Sequence, residues 1–362
     1  MIKRDILQPI IDHLDEKEIT VIIGPRQVGK TTLLDQIEKY LSQERQVPKI
    51  NIFRFNLDVI RDRDFFQKQD EVINFIKSRK KEGELLYFFI DEVQRIKDAG
   101  IFIKGIYDLN LGVKFILTGS SSLEIKTKIQ EALTGRKKVF QVMPLTINEY
   151  LRYIDEQLFD VVQQGEQIID YDLVKLMKII NDFVVFGGYP RMAIETNPDK
   201  KISILEELYT SYLDKDIKDF LGIKKINAFN KLVSLLSAQT GNLLNIDQLS
   251  SDIGIEVRTV NEYLNALTNT FVISLIYPFF TNRKKELVKA PKIYFIDTGL
   301  RNFAIARFDN LDKRDDKGAV FENAVASELL KSIKIPTTLN YWRTLQKAEL
   351  DFVLRSGDGK LT

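Results

Sequence analysis

The chain has no cysteine and only one histidine in 362 residues. Without thiols it can form neither disulfides nor thiolate metal sites. That composition suits a reducing compartment, so a cytoplasmic location is the expectation. His13 by itself cannot build an imidazole metal cluster. On one face of an amphipathic segment it reads first as a structural residue. No run of eighteen apolar residues occurs, so no membrane-spanning helix is expected. The N-terminus, Met1-Ile-Lys-Arg-Asp5, leads into helical spacing (Ile6, Leu7, Ile10, Ile11, Leu14) rather than into the apolar core of a signal peptide. A one-signed charge field is also missing. Lys and Arg total 53 against 51 Asp and Glu, a net of +2, so any nucleic-acid contact would need a local patch.

What is present is ample core material, 44% hydrophobic residues, in a chain long enough for two or three domains. Five short apolar runs read as strands: Ile19–Ile23, Ile52–Asn56, Leu85–Ile90, Val113–Leu117 and Val139–Val142. Leu85–Ile90 is apolar throughout, as expected for a strand buried on both faces of a parallel sheet. Helical periods separate the strands. One runs from Thr32 to about Leu41 and another is predicted as a single helix over 65–80. Alternation of this kind implies an α/β doubly wound layer. After about Leu145 the pattern becomes helical to about residue 240, interrupted by the turn Gly187-Gly-Tyr-Pro190.

Between the first strand and the next helix lies Gly24-Pro25-Arg26-Gln27-Val28-Gly29-Lys30-Thr31, a complete P-loop in its required context. Such a loop points successive backbone N–H groups at phosphate oxygens, and the following helix adds its positive end. In this reading Lys30 bridges the β- and γ-phosphates of ATP. The Thr31 hydroxyl ligates Mg²⁺, and Thr32 lies near the α-phosphate. About sixty residues further on, the third strand ends in Asp91-Glu92. Asp91 is the expected second holder of the Mg²⁺ shell, and Glu92 the group that polarises the attacking water. The alternative is a pair that merely opens a surface loop. The fourth strand ends in Thr118-Gly-Ser120, where Thr118 or Ser120 would hydrogen-bond the γ-phosphate or the water; a plain turn is the alternative. Arg136 follows in a basic cluster. It would reach a neighbouring subunit's γ-phosphate in a homo-oligomer, or pair with a local carboxylate.

Taken in order, Gly-Pro-Arg-Gln-Val-Gly-Lys-Thr-Thr32, Phe-Ile-Asp-Glu-Val-Gln94, Leu-Thr-Gly-Ser-Ser-Ser122, Thr-Gly-Arg136 and Pro144-Leu-Thr-Ile-Asn-Glu-Tyr-Leu151 resemble the AAA-type ATPases of the archaeal and bacterial group related to the STAND NTPases. Phe186-Gly-Gly-Tyr-Pro190 and Lys292-Ile-Tyr-Phe-Ile-Asp-Thr-Gly299 resemble that group's C-terminal region. The resemblance implies a five-stranded parallel sheet in which the sensor strand separates the Walker A and Walker B strands.

The expected organisation is a P-loop ATPase domain (1–150), a helical lid or linker (151–240), a winged helix–turn–helix (241–297) and a partial nuclease-like α/β region (298–362). In the third part Leu249, Ile253, Ile255, Val260 and Leu264 would form a small core. Arg258, Thr259, Asn261, Glu262 and Asn265 would face outward, with only one base among them. Arg283, Lys284, Lys285, Lys289 and Lys292 would supply phosphate contacts to duplex DNA from the wing. A module that packs as a lid or binds a protein partner is the alternative. In the last part Glu328 and Asp351 match the metal-holding positions of the nuclease-like fold, but no Glu-x-Lys follows. The functional expectation is Mg²⁺-dependent ATP hydrolysis coupled to the winged-helix part. The competing expectation is a slow nucleotide-dependent switch that binds a protein partner.

Overall fold

The computed structural model describes residues 1–120, 130–165, 167–211, 226–280, 289–344, 346 and 348–362. The chain forms two compact units, residues 3–143 and residues 144–362 together with Met1–Ile2. No helix among the described residues is long and apolar enough to cross a membrane.

The first unit runs α1 (Leu7–Asp12), β1 (Ile19–Gly24), α2 (Lys30–Lys39), β2 (Ile52–Asn56), α3 (Ile60–Phe65), α4 (Gln69–Arg79), β3 (Leu86–Asp91), α5 (Ala99–Tyr107), β4 (Val113–Ser120), the short α6 (Gln130–Ala132) and β5 (Lys137–Gln141). The five strands make one sheet of order β2-β3-β4-β1-β5. Every neighbouring pair is parallel. β1 and β3 are buried along their whole length, which is why they appear in the sequence as unbroken apolar runs. β2, at the sheet edge, alternates half-buried and exposed positions. The sensor strand β4 lies between β3 and β1, as the family resemblance implies. The predicted single helix over 65–80 is instead split. Phe65 closes α3, Lys68 is extended, and α4 starts at Gln69. Phe66, 2% exposed, packs its ring on Phe55, Phe65 and Phe102, and this burial sets the bend.

The second unit continues with α7 (Ile147–Ile154), α8 (Glu156–Gln164), α9 (Asp170–Phe186), α10 (Pro190–Ile194), α11 (Pro198–Tyr209) and α12 (Ile226–Ala238). Then come α13 (Ile246–Ile253), α14 (Val257–Asn269), β6 (Ile273–Ile276), β7 (Lys292–Phe295), α15 (Thr298–Ala304), α16 (Lys317–Ser332), β8 (Thr338–Arg343) and β9 (Glu349–Arg355). β6 pairs antiparallel with β7, and β8 with β9. Leu249, Ile255, Val260 and Leu264 are buried with Phe229, Leu232 and Leu236 of α12, and Ile253 packs against them partly buried. So α12 supplies one wall of the core that holds α13 and α14. Ile276 of β6 and Tyr294 of β7 share a second core with Ala326 of α16 and with Leu339 and Tyr341 of β8.

Two motifs that carried the C-terminal resemblance meet here. The Asp297 carboxylate accepts from the N–H groups of Gly188 (2.8 Å) and Leu300 (3.1 Å). Gly187 has φ +83°, and a side chain there would strike the Asp297 carboxylate. Burial pushes the Asp297 pKa up, while Lys331 and the N–H donors oppose that shift. The Gly-Gly turn is therefore a structural joint between α9 and α15.

Candidate active site

The P-loop connects the C-terminal end of β1 to the first turn of α2. Its first glycine is required by packing as well as by phosphate geometry. A Cβ on Gly24 would lie 2.0 Å from the Val142 carbonyl oxygen. Gln27 takes left-handed backbone (φ 58°), which turns the loop before Val28 buries. Lys30 is 6% exposed. Its Nζ donates to the carbonyls of Gly24 (3.0 Å) and Pro25 (2.7 Å). Arg26 is half-buried, and Thr31 and Thr32 are exposed on the first turn of α2.

Asp91, at the end of β3, is 5% exposed. The Thr31 hydroxyl donates to its Oδ2 (3.0 Å), and the Thr118 hydroxyl of β4 donates to its Oδ1. Three elements thus place one carboxylate and two hydroxyls beside the P-loop. These are hard oxygen donors, the set that suits Mg²⁺, and the two hydroxyls that hold Asp91 are neutral. Glu92 follows with φ 58° and ψ 45°, a conformation that costs a non-glycine residue roughly 1 kcal/mol. Its N–H donates to Asp91 Oδ1 (3.1 Å), and its carboxylate accepts from Gln94 Nε2. Ser120 ends β4 in register with Gly24, but its side chain and residues 121–129 lie outside the described part.

Arg136 sits elsewhere. Its carbonyl accepts from the Ile19 N–H, at the start of β1, whereas the P-loop follows the end of β1. The sheet separates the two by roughly 17 Å. Arg136 therefore cannot reach the P-loop of its own chain. Its guanidinium forks onto Asp108 (Nε to Oδ1 2.7 Å, Nη2 to Oδ2 3.2 Å), the local-carboxylate alternative. Those bonds hold the Asp108 carboxyl below the usual range.

Sequence reasoning missed Arg4. It donates to the carbonyls of Val28 (2.8 Å) and Met143 (2.7 Å), bracing the P-loop from 24 residues upstream. It also left Gln94 without a task, although the motif Glu-Val-Gln had marked it.

In the second unit, Glu328 and Asp351 are not brought together. Glu328 accepts from the Ile147 N–H (2.8 Å) and pairs with Lys331. Asp351 instead shares a cluster with Glu322 and Glu349, which Lys292 joins (to Asp351 2.9 Å, Glu349 2.5 Å, Glu322 3.3 Å). Glu322 and Glu328 are six residues apart on α16, so they face directions about 120° apart. Burial works against the Lys292 charge, but Glu349 and Asp351 outweigh it and raise its pKa. Tyr294 adds a hydrogen bond to Glu322 (2.6 Å). Among the described residues, no group of three or more His, Asp or Glu side chains is arranged to hold a metal.

A five-stranded parallel sheet of this order, with the glycine-rich turn between β1 and α2, is the P-loop NTPase fold. Residues 16–151 match the family model described as an AAA domain. Residues 177–312 and 317–362 match two domains of unknown function, DUF8612 and DUF4143. An uncharacterized protein of Haemophilus influenzae is 25% identical, over 99% of this chain and 85% of its own length. One of Methanocaldococcus jannaschii is 25% identical, over 98% and 75%. Among solved structures, the Aeropyrum pernix Orc1 protein in complex with DNA aligns at 11% identity over 90% of this chain and 92% of its own, with TM-score 0.34. The S. cerevisiae Hsp104–ADP complex aligns at 16% identity over 72% and 37%, with TM-score 0.35.

Proposed function

We propose that the chain is a Mg²⁺-dependent ATPase whose nucleotide state acts on the α13–α14 module. The observation that carries this reading is Asp91: a buried carboxylate at the end of β3, tied to the Thr31 and Thr118 hydroxyls beside the P-loop. Lys30, which donates to two loop carbonyls, exchanges them for the β- and γ-phosphates. Backbone N–H groups of residues 24–32 cradle the phosphate chain, and Thr32 lies near the α-phosphate. Thr31 and Asp91 hold Mg²⁺, which when bound supplies charge neutralisation on the phosphate oxygens. Glu92 polarises the attacking water and accepts its proton. Thr118 or Ser120 hydrogen-bonds the γ-phosphate or that water. Arg136 serves the γ-phosphate of a second copy, leaving Asp108 to do so, and this role requires a homo-oligomer.

Two substitutions test the reading. Lys30→Ala is expected to weaken ATP binding at least a hundredfold in a fluorescent-nucleotide titration. Glu92→Gln is expected to keep binding and lose turnover. Unchanged binding in the first, or unchanged turnover in the second, removes the corresponding assignment.

The partner of the module is a separate question. Arg258, the one base on α14, pairs with Glu262 (3.1 Å), which removes charge a DNA-reading helix would present. That pairing favours the second reading, a nucleotide-dependent switch with a protein partner. Duplex DNA remains the reading for Arg283, Lys284 and Lys285, which lie outside the described residues. Loss of salt-dependent duplex binding when these three are neutralised supports DNA. No duplex binding even at low salt supports the switch.

A further inference from the structure

We infer that Gln94 is a positioning residue for Glu92, orienting the carboxylate that faces the attacking water; this rests on the role proposed for Glu92 above. Residues two apart in a helix do not face one another. Here they do, because Glu92 adopts left-handed backbone and Val93–Arg95 then form a tight 3-10 turn. The turn is fixed at several points. Val93 is fully buried and Ile96 is 6% exposed. The Arg95 N–H donates to the Glu92 carbonyl (2.9 Å), and the Arg95 guanidinium reaches Asp58 (3.0 Å). The Gln94 side chain is thereby folded back so that Nε2 donates to Glu92 Oε2.

The chemistry favours an amide at this position. A neutral donor holds one carboxylate oxygen and the plane of the group without cancelling its charge. A lysine or arginine would neutralise the carboxylate, and a glutamate would repel it. Asp91 is treated in the same way, by the Thr31 and Thr118 hydroxyls. Both carboxylates of the site are thus held by neutral donors.

The test is a double-mutant cycle on the full chain with two readouts, nucleotide affinity and single-turnover hydrolysis. Gln94→Met keeps the volume and removes the donor. We expect hydrolysis to slow about tenfold with affinity within twofold, and we expect no further slowing when Gln94→Met is added to Glu92→Gln. Gln94→Glu should slow hydrolysis at least as much. A thermal melt of each variant separates misfolding from mispositioning. Unchanged hydrolysis in Gln94→Met, or the same fractional loss in both backgrounds, overturns the inference while leaving Glu92 in its role. Full turnover in Glu92→Gln defeats the assignment of Glu92, and this inference falls with it.

Discussion

The two units each gather carboxylates, and they treat them in opposite ways. In the first, Asp91 and Glu92 are held by hydroxyls and an amide, all neutral. In the second, Glu322, Glu349 and Asp351 are held by the ammonium of Lys292, which is 4% exposed. A neutral donor fixes geometry and leaves the negative charge available to a cation or a proton. An ammonium fixes geometry by cancelling charge. The first arrangement suits chemistry on a nucleotide, and the second suits the joining of β7, α16 and β9. The likeness of residues 298–362 to a nuclease-like region rests on a helix and a strand in the expected order with Glu328 and Asp351 at matching positions, and the partner of each carboxylate is what separates a candidate site from a structural clasp.

The comparison can be broken most directly at Asp91. Asp91→Asn keeps the shape and removes the charge, and turnover is expected to fall at least a hundredfold, about 3 kcal/mol. A residual rate within tenfold of the parent would remove Asp91 from the site. The counterpart is Lys292→Met, which leaves Glu322 and Asp351 without their cation and Glu349 with Arg343 alone (3.5 Å). It should destabilise the fold by about 3 kcal/mol in urea unfolding while ATP affinity is unchanged. Thr118→Val removes one neutral donor from Asp91, and a roughly tenfold loss of turnover is expected, about 1.4 kcal/mol. Arg4→Met tests the brace behind the loop; nucleotide affinity should drop about fivefold with little change in the catalytic step.

A last effect, on stability and not on turnover, concerns the β5 edge of the sheet. His13 is 3% exposed, and its Nδ1 lies 2.9 Å from Thr20 Oγ1. Burial first, then Lys114 and Lys138, lower its pKa to about 4. The unfolded chain therefore takes up a proton as pH falls below about 6.5, while the folded chain resists until about 4. Stability from this group is intact above that window and declines through it, by about 3 kcal/mol. In His13→Gln the difference in urea midpoint between pH 7 and pH 5 should be smaller than in the parent.

Much of the first unit was legible because its signals are local. Gly24–Thr31 encodes a backbone turn in eight consecutive residues, and β1 and β3 declare their burial as apolar runs. The edge of α4 was not legible, because Phe65 and Phe66 fit a helical period and only their packing with Phe55 ends the helix. Gln94 was legible as a motif letter but not as a partner, since nothing in a sequence reports that Glu92 will turn left-handed. Glu322, which meets the Lys292 cluster, carries no sequence signal that sets it apart from Glu328 on the same helix. Which of two helical carboxylates faces a strand depends on the rotation of α16, and packing sets that rotation.

By itself, then, the sequence determined the phosphate-binding loop, the parallel character of the central strands and the presence of acidic groups at the end of β3. Each of these depends on neighbours within a few residues. Tertiary structure alone decided which donors meet which carboxylates. Thr31 reaches Asp91 across 60 residues, and Lys292 reaches Asp351 across 59. Those pairings follow from strand order and helix rotation, which arise from burying whole faces of elements and have no local code.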